Sequence, residues 1–396
     1  MYDFDQAIDR VPFNSIKWSF PELCYPEATA GDGILPLWVA DMDFAVPPSV
    51  EEAVLRRAGH PVYGYAGKPG AFYGAFSGWM ARRQGVAVDK ASLHFSPGIV
   101  TGLGLSVRAF TQPGDGVVIQ PPVYHPFRMM IERNGRRVLE NPLVNENGRW
   151  RMDLEGLEEL CMSEKPAALI LCSPHNPVAR VWTKDELEGV IGVCARHRVL
   201  LVSDEIHSDI VYRPGSHIAA LRYADALEGR LVAFFAPSKT FNIAGLQTSY
   251  AVIPDPELGS LFDAEASRLG LENPNVFGAA AAVAAYEGGE AWLEELLAYL
   301  AGNADFLCRE LASRFPSLSM RMPEGTFLAW VDARGLGLKG DLHEIIARKA
   351  GVWFDDGSKF GKGGEGWLRL NFGCPRANLE LALDRLEKAL PSILAR

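Results

Sequence analysis

Three shortages in this 396-residue sequence exclude whole classes of protein. No cluster of lysines and arginines offsets the net charge of −10, so a protein that binds nucleic acid is not expected. The longest run of small apolar residues, residues 276–286, is far too short to span a bilayer, and we expect no membrane partner. The N-terminal residues MYDFDQAIDR are charged and lack the apolar stretch of a secretion signal.

The sequence also lacks paired cysteines. None of the six forms a C-x-x-C pair, so neither a zinc knuckle nor a thioredoxin-like motif is present, and we predict no metal site. Reduced thiols in a cytoplasmic protein are the simplest interpretation. The cysteines are Cys24, Cys161, Cys172, Cys194, Cys308 and Cys374.

The sequence does contain a recurring pattern of short apolar runs, each followed by polar residues, glycine or proline. Continuous apolar runs of this length are typical of strands that are buried on both faces. Helical stretches lie between several of them, and Thr183 and Glu186 have the spacing of a capping box at the start of one. Alternating strands and helices predict an α/β fold with a mostly parallel central sheet. The apolar runs are Ser92–Phe95, Gly116–Gln120, Ala167–Cys172, Val199–Val202 and Leu231–Phe235.

The pattern changes late in the chain, which is long enough for two packed domains. We predict a large domain at residues 46–287 and a smaller α+β domain formed by residues 1–45 and 288–396. The last helix is expected to have Asn378 as its N-cap and to end before Pro391. The elements predicted late in the chain are helices at Trp292–Phe315, Leu342–Ala350 and Leu379–Leu390, and a strand-rich segment at Met320–Asp332.

Ligands of a parallel sheet bind beyond the carboxyl ends of its strands, where the polar clusters of this chain fall. Lys239 follows the run LVAFF, and burial beside a sheet lowers the pKa of a lysine and makes its amine a nucleophile. The alternative is an ordinary surface lysine. Asp204 follows VLLV, and a buried carboxylate needs a cationic partner such as a pyridinium nitrogen. A helix N-cap is an equal alternative for Asp204.

Three further side chains near the strand ends are candidates for contacts with a planar ligand. Asn176 lies between two prolines that stiffen the backbone, and its amide can donate a hydrogen bond to a ligand oxygen, or it can form an Asx-turn. His207 can donate to the same oxygen, although a structural histidine is the commoner case. Tyr124 can stack on a flat ring or be a core tyrosine.

Two positions are suited to anions. Ser96-Pro97-Gly98 leads into the helix-like run Val100–Phe110, and a glycine turn at a helix N-terminus binds phosphate through free N–H groups and the helix dipole. Many such turns hold nothing. Arg369 lies in an apolar, strand-like run and is costly to bury unless it is paired. Its partner is a substrate carboxylate or, as the alternative, an internal aspartate or glutamate.

The order and spacing of these residues resemble those of the MalY/PatB-type cystathionine β-lyases, a branch of the class I/II aminotransferase-like enzymes that use pyridoxal 5'-phosphate (PLP). The resemblance runs nearly end to end, and the Ser-Lys-Thr-Phe-Asn run and the late Arg-Leu-Asn run are quite specific. The run Trp-Val-Ala-Asp-Met-Asp-Phe points to this branch over general aminotransferases. The segments that carry the resemblance are Trp38–Phe44, Tyr63–Tyr65, Ser173–Pro177, Ser203–His207, Ala236–Asn242, Pro323–Trp330 and Arg369–Arg376.

The resemblance implies the aspartate-aminotransferase-like fold (fold type I) with PLP as the cofactor. Lys239 would carry the cofactor as a Schiff base, and Asp204 would pair with its pyridine nitrogen. Asn176, together with His207, would hold the phenolic oxygen. Tyr124 would stack on the ring.

The resemblance also implies which residues bind the two anionic groups, the cofactor phosphate and the substrate carboxylate. Backbone N–H groups of Ile99 and Val100, with Ser238, would bind the phosphate. Tyr65 would reach the phosphate from the neighbouring subunit, which implies a homodimer with a shared active site. Arg369 would bind the α-carboxylate of a small amino-acid substrate.

The sequence departs from the family pattern at two positions. The usual Asn-Pro-x-Gly is here Asn176-Pro177-Val178-Ala179, so the turn either avoids a positive φ or tolerates it at some cost. Many aminotransferases have a phosphate-binding arginine eight residues after the lysine, and this position is Gln247 here. Other groups would then have to neutralise the phosphate.

The implied activity is a β-elimination that cleaves L-cystathionine or another cysteine S-conjugate to a thiol, pyruvate and ammonia. A PLP-dependent aminotransferase would use the same lysine, aspartate and arginine, and would differ in needing a keto acid. A third alternative is a PLP-fold protein that acts as a regulator or binding partner. The intact set of Lys239, Asp204 and Arg369 argues for retained chemistry.

Overall fold

The computed structural model of the protein describes residues 2–23, 25, 27–28, 33–338 and 340–394. Within these residues, no helix has the length and apolar character needed to cross a bilayer. The five cysteines of the described part are free thiols, and Cys24 lies outside it.

In this part of the chain, the strands form one large sheet, one four-stranded sheet and two sheets of two strands each. Their bounds are β1 (Leu35–Pro36), β2 (Leu93–Ser96), β3 (Gly116–Ile119), β4 (Arg137–Glu140), β5 (Val144–Glu146), β6 (Arg149–Arg151), β7 (Ala168–Cys172), β8 (Leu200–Asp204), β9 (Leu231–Phe235), β10 (Ser249–Val252), β11 (Ser319–Met320), β12 (Leu328–Asp332), β13 (Val352–Trp353), β14 (Asp355–Asp356) and β15 (Trp367–Asn371).

The helices alternate with the strands of the large sheet and then surround the smaller one. Their bounds are α1 (Pro48–Ala58), α2 (Gly70–Trp79), α3 (Ile99–Phe110), α4 (Pro126–Arg133), α5 (Leu154–Glu164), α6 (Lys184–His197), α7 (Pro237–Thr240), α8 (Pro256–Arg268), α9 (Val276–Gly288), α10 (Glu290–Arg314), α11 (Leu342–Ala350) and α12 (Arg376–Leu394). Short 3-10 helices occupy Val11–Phe13, Pro21–Leu23, Lys90–Ser92, Ala220–Tyr223, Ala244–Leu246, Arg334–Leu336 and Gly357–Phe360, and a π-helical turn occupies Met80–Gln84.

The large sheet has the strand order β2-β10-β9-β8-β7-β3-β4. Its strands run parallel except β10, which is antiparallel to both of its neighbours. The five predicted apolar runs are all strands of this sheet, and their ends shift by at most two residues. The apolar pattern does not indicate β4, a partly exposed edge strand, or β10. The predicted α/β fold with a mostly parallel sheet is confirmed.

Both faces of the large sheet are covered, as the continuous apolar runs predict. Successive residues alternate between two cores: Val117 and Ile170 pack with α3, α4 and α8, whereas Val118 and Leu171 pack with α5 and α6. Because a strand sends neighbouring side chains to opposite faces, only an unbroken apolar run fills both cores.

The four-stranded sheet has the order β11-β12-β15-β14 and is antiparallel throughout. Its register places Asp355 of β14 opposite Arg369 of β15. Strand β1 pairs in parallel with β13, so residues near the start of the chain join the C-terminal part. The division into one domain of residues 46–287 and another of residues 1–45 and 288–396 stays a prediction.

The ends of two helices test the sequence signals directly. The capping box is confirmed, since the Thr183 hydroxyl accepts from the Glu186 amide and the Glu186 carboxylate accepts from the Thr183 amide. Both predicted ends of the last helix are wrong, because α12 begins at Arg376, two residues before the expected N-cap Asn378, and continues through Pro391. Proline removes one backbone hydrogen bond there, but Ile393 is buried in the core, and this packing stabilises the last turn.

We expect Phe76→Ala to destabilise the protein by about 3–5 kcal/mol, because it removes a fully buried ring and leaves a cavity. The Phe76 ring of α2 stacks on Tyr250 of β10, with ring centroids 4.3 Å apart. Urea denaturation measures the loss as a lower midpoint at constant slope. Phe13, which is 80% exposed, supplies the control: Phe13→Ala should change the free energy of unfolding by less than about 0.5 kcal/mol. Equal losses in both variants would contradict this assignment of the core.

Candidate active site

A cavity of about 250 Å³ lies at the carboxyl ends of β7 and β8, beside the N-terminus of α3. Eight of the ten predicted site residues line it, and Tyr65 and Arg369 do not. The polar strand ends therefore meet at one edge of the sheet, as the sequence pattern indicates. The predicted residues that line the cavity are Ile99, Val100, Tyr124, Asn176, Asp204, His207, Ser238 and Lys239.

Asp204 ends β8 and is buried at the cavity wall. Burial raises the pKa of this carboxyl to about 7, although a hydrogen bond from the Ile206 amide (3.1 Å) and the nearby Lys239 favour its ionised form. The side chain thus bonds to the turn that follows the strand, and it also faces the cavity. A buried carboxylate in this position favours a cationic partner.

Lys239 lies in α7, directly after β9, and its Nζ donates a hydrogen bond to the backbone oxygen of Ala40. Burial lowers the pKa of this amine to about 8, so a fraction of it is the free base near neutral pH. Burial also lowers the pKa of His207 to about 3, which makes its imidazole neutral. The alternative of an ordinary surface lysine does not agree with this environment.

Arg369 is buried behind Asn176 and makes three hydrogen bonds with described residues. Its Nη1 donates to Asn176 Oδ1 at 3.0 Å, and its Nη2 donates to Trp38 O at 2.9 Å and to Asp355 Oδ2 at 2.7 Å. Of the two partners considered for Arg369 from the sequence, the internal acidic residue is present, and it is Asp355. Through Asn176, it also contacts the wall of the cavity.

The turn before α3 forms the far end of the cavity. Gly98 precedes the helix with a φ of +88°, and a Cβ at this position would lie 2.9 Å from Gln247 Oε1. Glycine thus keeps this end open, and the first amides of α3, at Ile99 and Val100, lack intrahelical partners. Ser238 and Gln247 line the same end. Donors from three segments converge there, which suits an anion although Gln247 supplies no charge.

Ala179 keeps the positive φ that a glycine would adopt, with a value of +56°. The buried turn is held by the Ala179 amide, which donates to His175 O at 2.8 Å, and by the Glu324 amide, which donates to Ala179 O at 2.9 Å. Of the two alternatives, the turn tolerates the positive φ, and its own hydrogen bonds offset the cost of the methyl group.

Tyr65 lies outside this cavity. Its side chain is fully exposed and lines a separate groove of about 1010 Å³ between α1 and α9. Within a single chain, the structure does not bring it to the other site residues.

The sequence pattern does not predict the part that residues 38–44 play in the site. Asn242 accepts from the Met42 amide and donates to the Met42 and Phe44 carbonyls, while Asn371 donates to the Val39 and Asp41 carbonyls. These hydrogen bonds hold residues 38–44 in place beside Lys239. The run is a specific family motif, which marks it as important, but its residue types do not show which side chains it contacts.

Comparison with known proteins agrees with this geometry. The family described as aminotransferase class I and II matches residues 33–386. The chain is 40% identical to cystathionine β-lyase PatB of Bacillus subtilis, over 98% of this chain and 100% of PatB. It is 33% identical to protein MalY of Escherichia coli, over 99% of this chain and 100% of MalY.

This chain belongs to the aminotransferase class I and II family. Among solved structures, it resembles cystalysin of Treponema denticola, which contains a pyridoxal 5'-phosphate cofactor. The TM-score is 0.95 at 33% sequence identity, and the match covers 99% of each chain. The resemblance seen in the sequence motifs is confirmed.

We expect the cofactor-free Asp204→Asn variant to melt a few degrees above the cofactor-free wild type at pH 8, with a smaller difference at pH 5. The folded pKa of about 7 lies above the unfolded value of about 3.9, so ionised Asp204 destabilises the fold fully above pH 7 and progressively less below it. Calorimetry at several pH values measures the difference. Asp305→Asn, an exposed carboxylate on α10, is the control and should show no such trend. A pH-independent difference would contradict the burial argument.

Proposed function

We propose that this protein is a PLP-dependent carbon–sulfur β-lyase that cleaves L-cystathionine or a related cysteine S-conjugate. With L-cystathionine and one water molecule, the products are homocysteine, pyruvate and ammonia. The observation that carries the proposal is the meeting of Lys239, Asp204 and the Arg369-bound Asn176 at one cavity. The likeness to PatB, which is named a cystathionine β-lyase, supports it.

The residues that line the cavity fit PLP. Asp204 is a buried carboxylate suited to a protonated ring nitrogen, Tyr124 presents a ring to the same space, and the N-terminus of α3 with Ser238 suits a phosphate. Asn176 and His207 line the same cavity and would hold the phenolic oxygen. When bound, PLP supplies an electron sink that stabilises negative charge at the substrate Cα.

Lys239 is the group that moves the proton. With a pKa lowered to about 8, its Nζ can act as a base toward the substrate Cα near neutral pH. The hydrogen bond to Ala40 O positions this nitrogen, and neutral His207 places no further positive charge beside it.

Arg369 orients the substrate. Its guanidinium is held on three sides by Asn176, Asp355 and the Trp38 carbonyl, so it is already in place before a substrate binds. A carboxylate bound there fixes the amino acid relative to Lys239, which is an orientation effect.

We expect the PLP-loaded protein to release pyruvate from L-cystathionine alone, without an added keto acid. Lys239→Ala should lower this rate at least about 100-fold, because the base is removed. Lys184→Ala, on the exposed side of α6, is the matched control and should keep the rate.

An aminotransferase remains the second candidate, because the family includes this activity by name and the same residues serve it. If L-cystathionine yields no pyruvate but its amino group is transferred to an added keto acid, leaving the 2-oxo analogue of cystathionine, the lyase is contradicted and this alternative is favoured.

We also propose that the protein is a homodimer in which Tyr65 completes the site of the neighbouring subunit. Exposed apolar side chains surround Tyr65, since Val62 is 62% exposed and Tyr63 is 59% exposed. A surface of this kind is suited to a subunit interface. Tyr65 lines the separate groove and not the cavity of its own chain, which agrees with a role in the other subunit.

We expect a mixture of Tyr65→Ala and Lys239→Ala chains, refolded together, to be more active than either variant alone. In a mixed dimer, one site would combine an intact Lys239 with an intact Tyr65 from the other chain. The pyruvate assay measures this recovery, and sedimentation confirms the dimer. If the mixture only averages the two separate activities, Tyr65 does not act across an interface.

A further inference from the structure

A buried salt bridge joins Asp355 to Arg369, the residue assigned to the substrate carboxylate. The two residues are opposite each other in the register of β14 and β15, and Nη2 lies 2.7 Å from Oδ2. The exposed fractions of the two side chains are 5% and 4%. The antiparallel pairing therefore brings a carboxylate beside the guanidinium and shields both from solvent.

Arg369 keeps donors for a ligand while it holds Asp355. Of the five N–H donors of a guanidinium, three bond to Asn176, Trp38 and Asp355. Nε is buried and has no hydrogen-bond partner among the described residues. Nη1 makes one hydrogen bond, to Asn176, and so retains its second hydrogen. A substrate carboxylate that binds Arg369 would thus be the second anion on this guanidinium, because Asp355 is already paired with it.

One further cation contacts this pair. Lys359 Nζ lies 3.3 Å from Asp355 Oδ1, and its side chain is 42% exposed. Arg369, Asp355 and Lys359 together carry one net positive charge, which a single substrate carboxylate neutralises. A second anionic group on the substrate would have no free cation here, because Lys359 is already paired with Asp355. The negative charge of Asp355 would also repel it.

The charge of Asp355 acts inside the cavity as well. Burial raises the pKa of Tyr124, and the charges of Arg369, Asp204 and Asp355 also act on this residue. Tyr124 lines the cavity, so a ligand that packs against it lies within reach of the same field. In a poorly solvated site, such a charge is only weakly screened.

We propose that Asp355 is a specificity-determining residue that disfavours substrates with a second, net negative group beyond the α-carboxylate. The preferred class is then the S-conjugates whose distal part is uncharged or zwitterionic. This inference rests on the proposed function for the substrate class and for the binding of the substrate carboxylate at Arg369. The charge selection itself is a property of binding.

The test measures binding of two acids that lack the amino group and therefore do not react. These are 3-(ethylthio)propanoate, with one carboxylate, and 3-(carboxymethylthio)propanoate, with two. We expect the PLP-loaded wild type to bind the monoanion at least about tenfold more tightly in calorimetric titration. The affinity ratio is the affinity for the monoanion divided by that for the dianion. Asp355→Asn should reduce this ratio by about tenfold, because it removes the negative charge but keeps an acceptor for Arg369.

Two further variants make the test specific. Asp356→Asn is the matched control: it makes the same charge change one residue away, where the side chain accepts from Ser358 and not from Arg369, and it should keep the wild-type ratio. Lys359→Gln should raise the ratio several-fold, because it leaves Asp355 with one cation fewer. Lys359 is partly exposed, so this variant tests the proposal even if Asp355→Asn does not fold.

An unchanged ratio in Asp355→Asn, or an equal loss of both acids, would overturn the proposal, and the equal loss would make Asp355 a positioning residue only. A ratio that Lys359→Gln does not raise would also overturn it. These readouts are independent of turnover. If the ratio shifts as expected but L-cystathionine yields no pyruvate, the lyase proposal fails while the charge selection stands.

Discussion

Burial of polar groups at the carboxyl edge of the central sheet is the constraint on which the rest of the site depends. Removal from water raises the pKa of Asp204 to about 7 and lowers those of Lys239 and His207 to about 8 and 3. The acid and the amine therefore titrate near neutral pH, and the imidazole is neutral. A cavity built in this way favours a ligand that brings compensating charges, and its amine can exchange a proton under ordinary conditions.

The segment of residues 38–44 connects this edge to the antiparallel sheet. Its carbonyls accept hydrogen bonds from Lys239 and Asn242 beside the large sheet, and from Arg369 and Asn371 on β15. Lys239 and Arg369, the proposed base and the proposed carboxylate-binding residue, are therefore fixed relative to each other through one stretch of backbone. An orientation effect in catalysis requires this kind of fixed distance between two groups.

The pairing of β14 with β15 places a carboxylate beside the arginine that we propose binds the substrate. Which side chain lies opposite that arginine depends on the residue that occupies the register position. In this chain the residue is Asp355, so charge selection is determined by one local contact in an otherwise common framework.

The sequence by itself determined the parallel sheet, the capping box and the position of the candidate site at the strand ends. Each of these depends on residues that are close together along the chain. Continuous apolar runs identify strands with two covered faces, and the motif around Lys239 identifies the family. Only the tertiary structure decided that Arg369 pairs with Asp355, that residues 38–44 cover Lys239 and that α12 continues through Pro391. These outcomes depend on strand register and on packing between residues distant in sequence. Local sequence patterns predict neither of them.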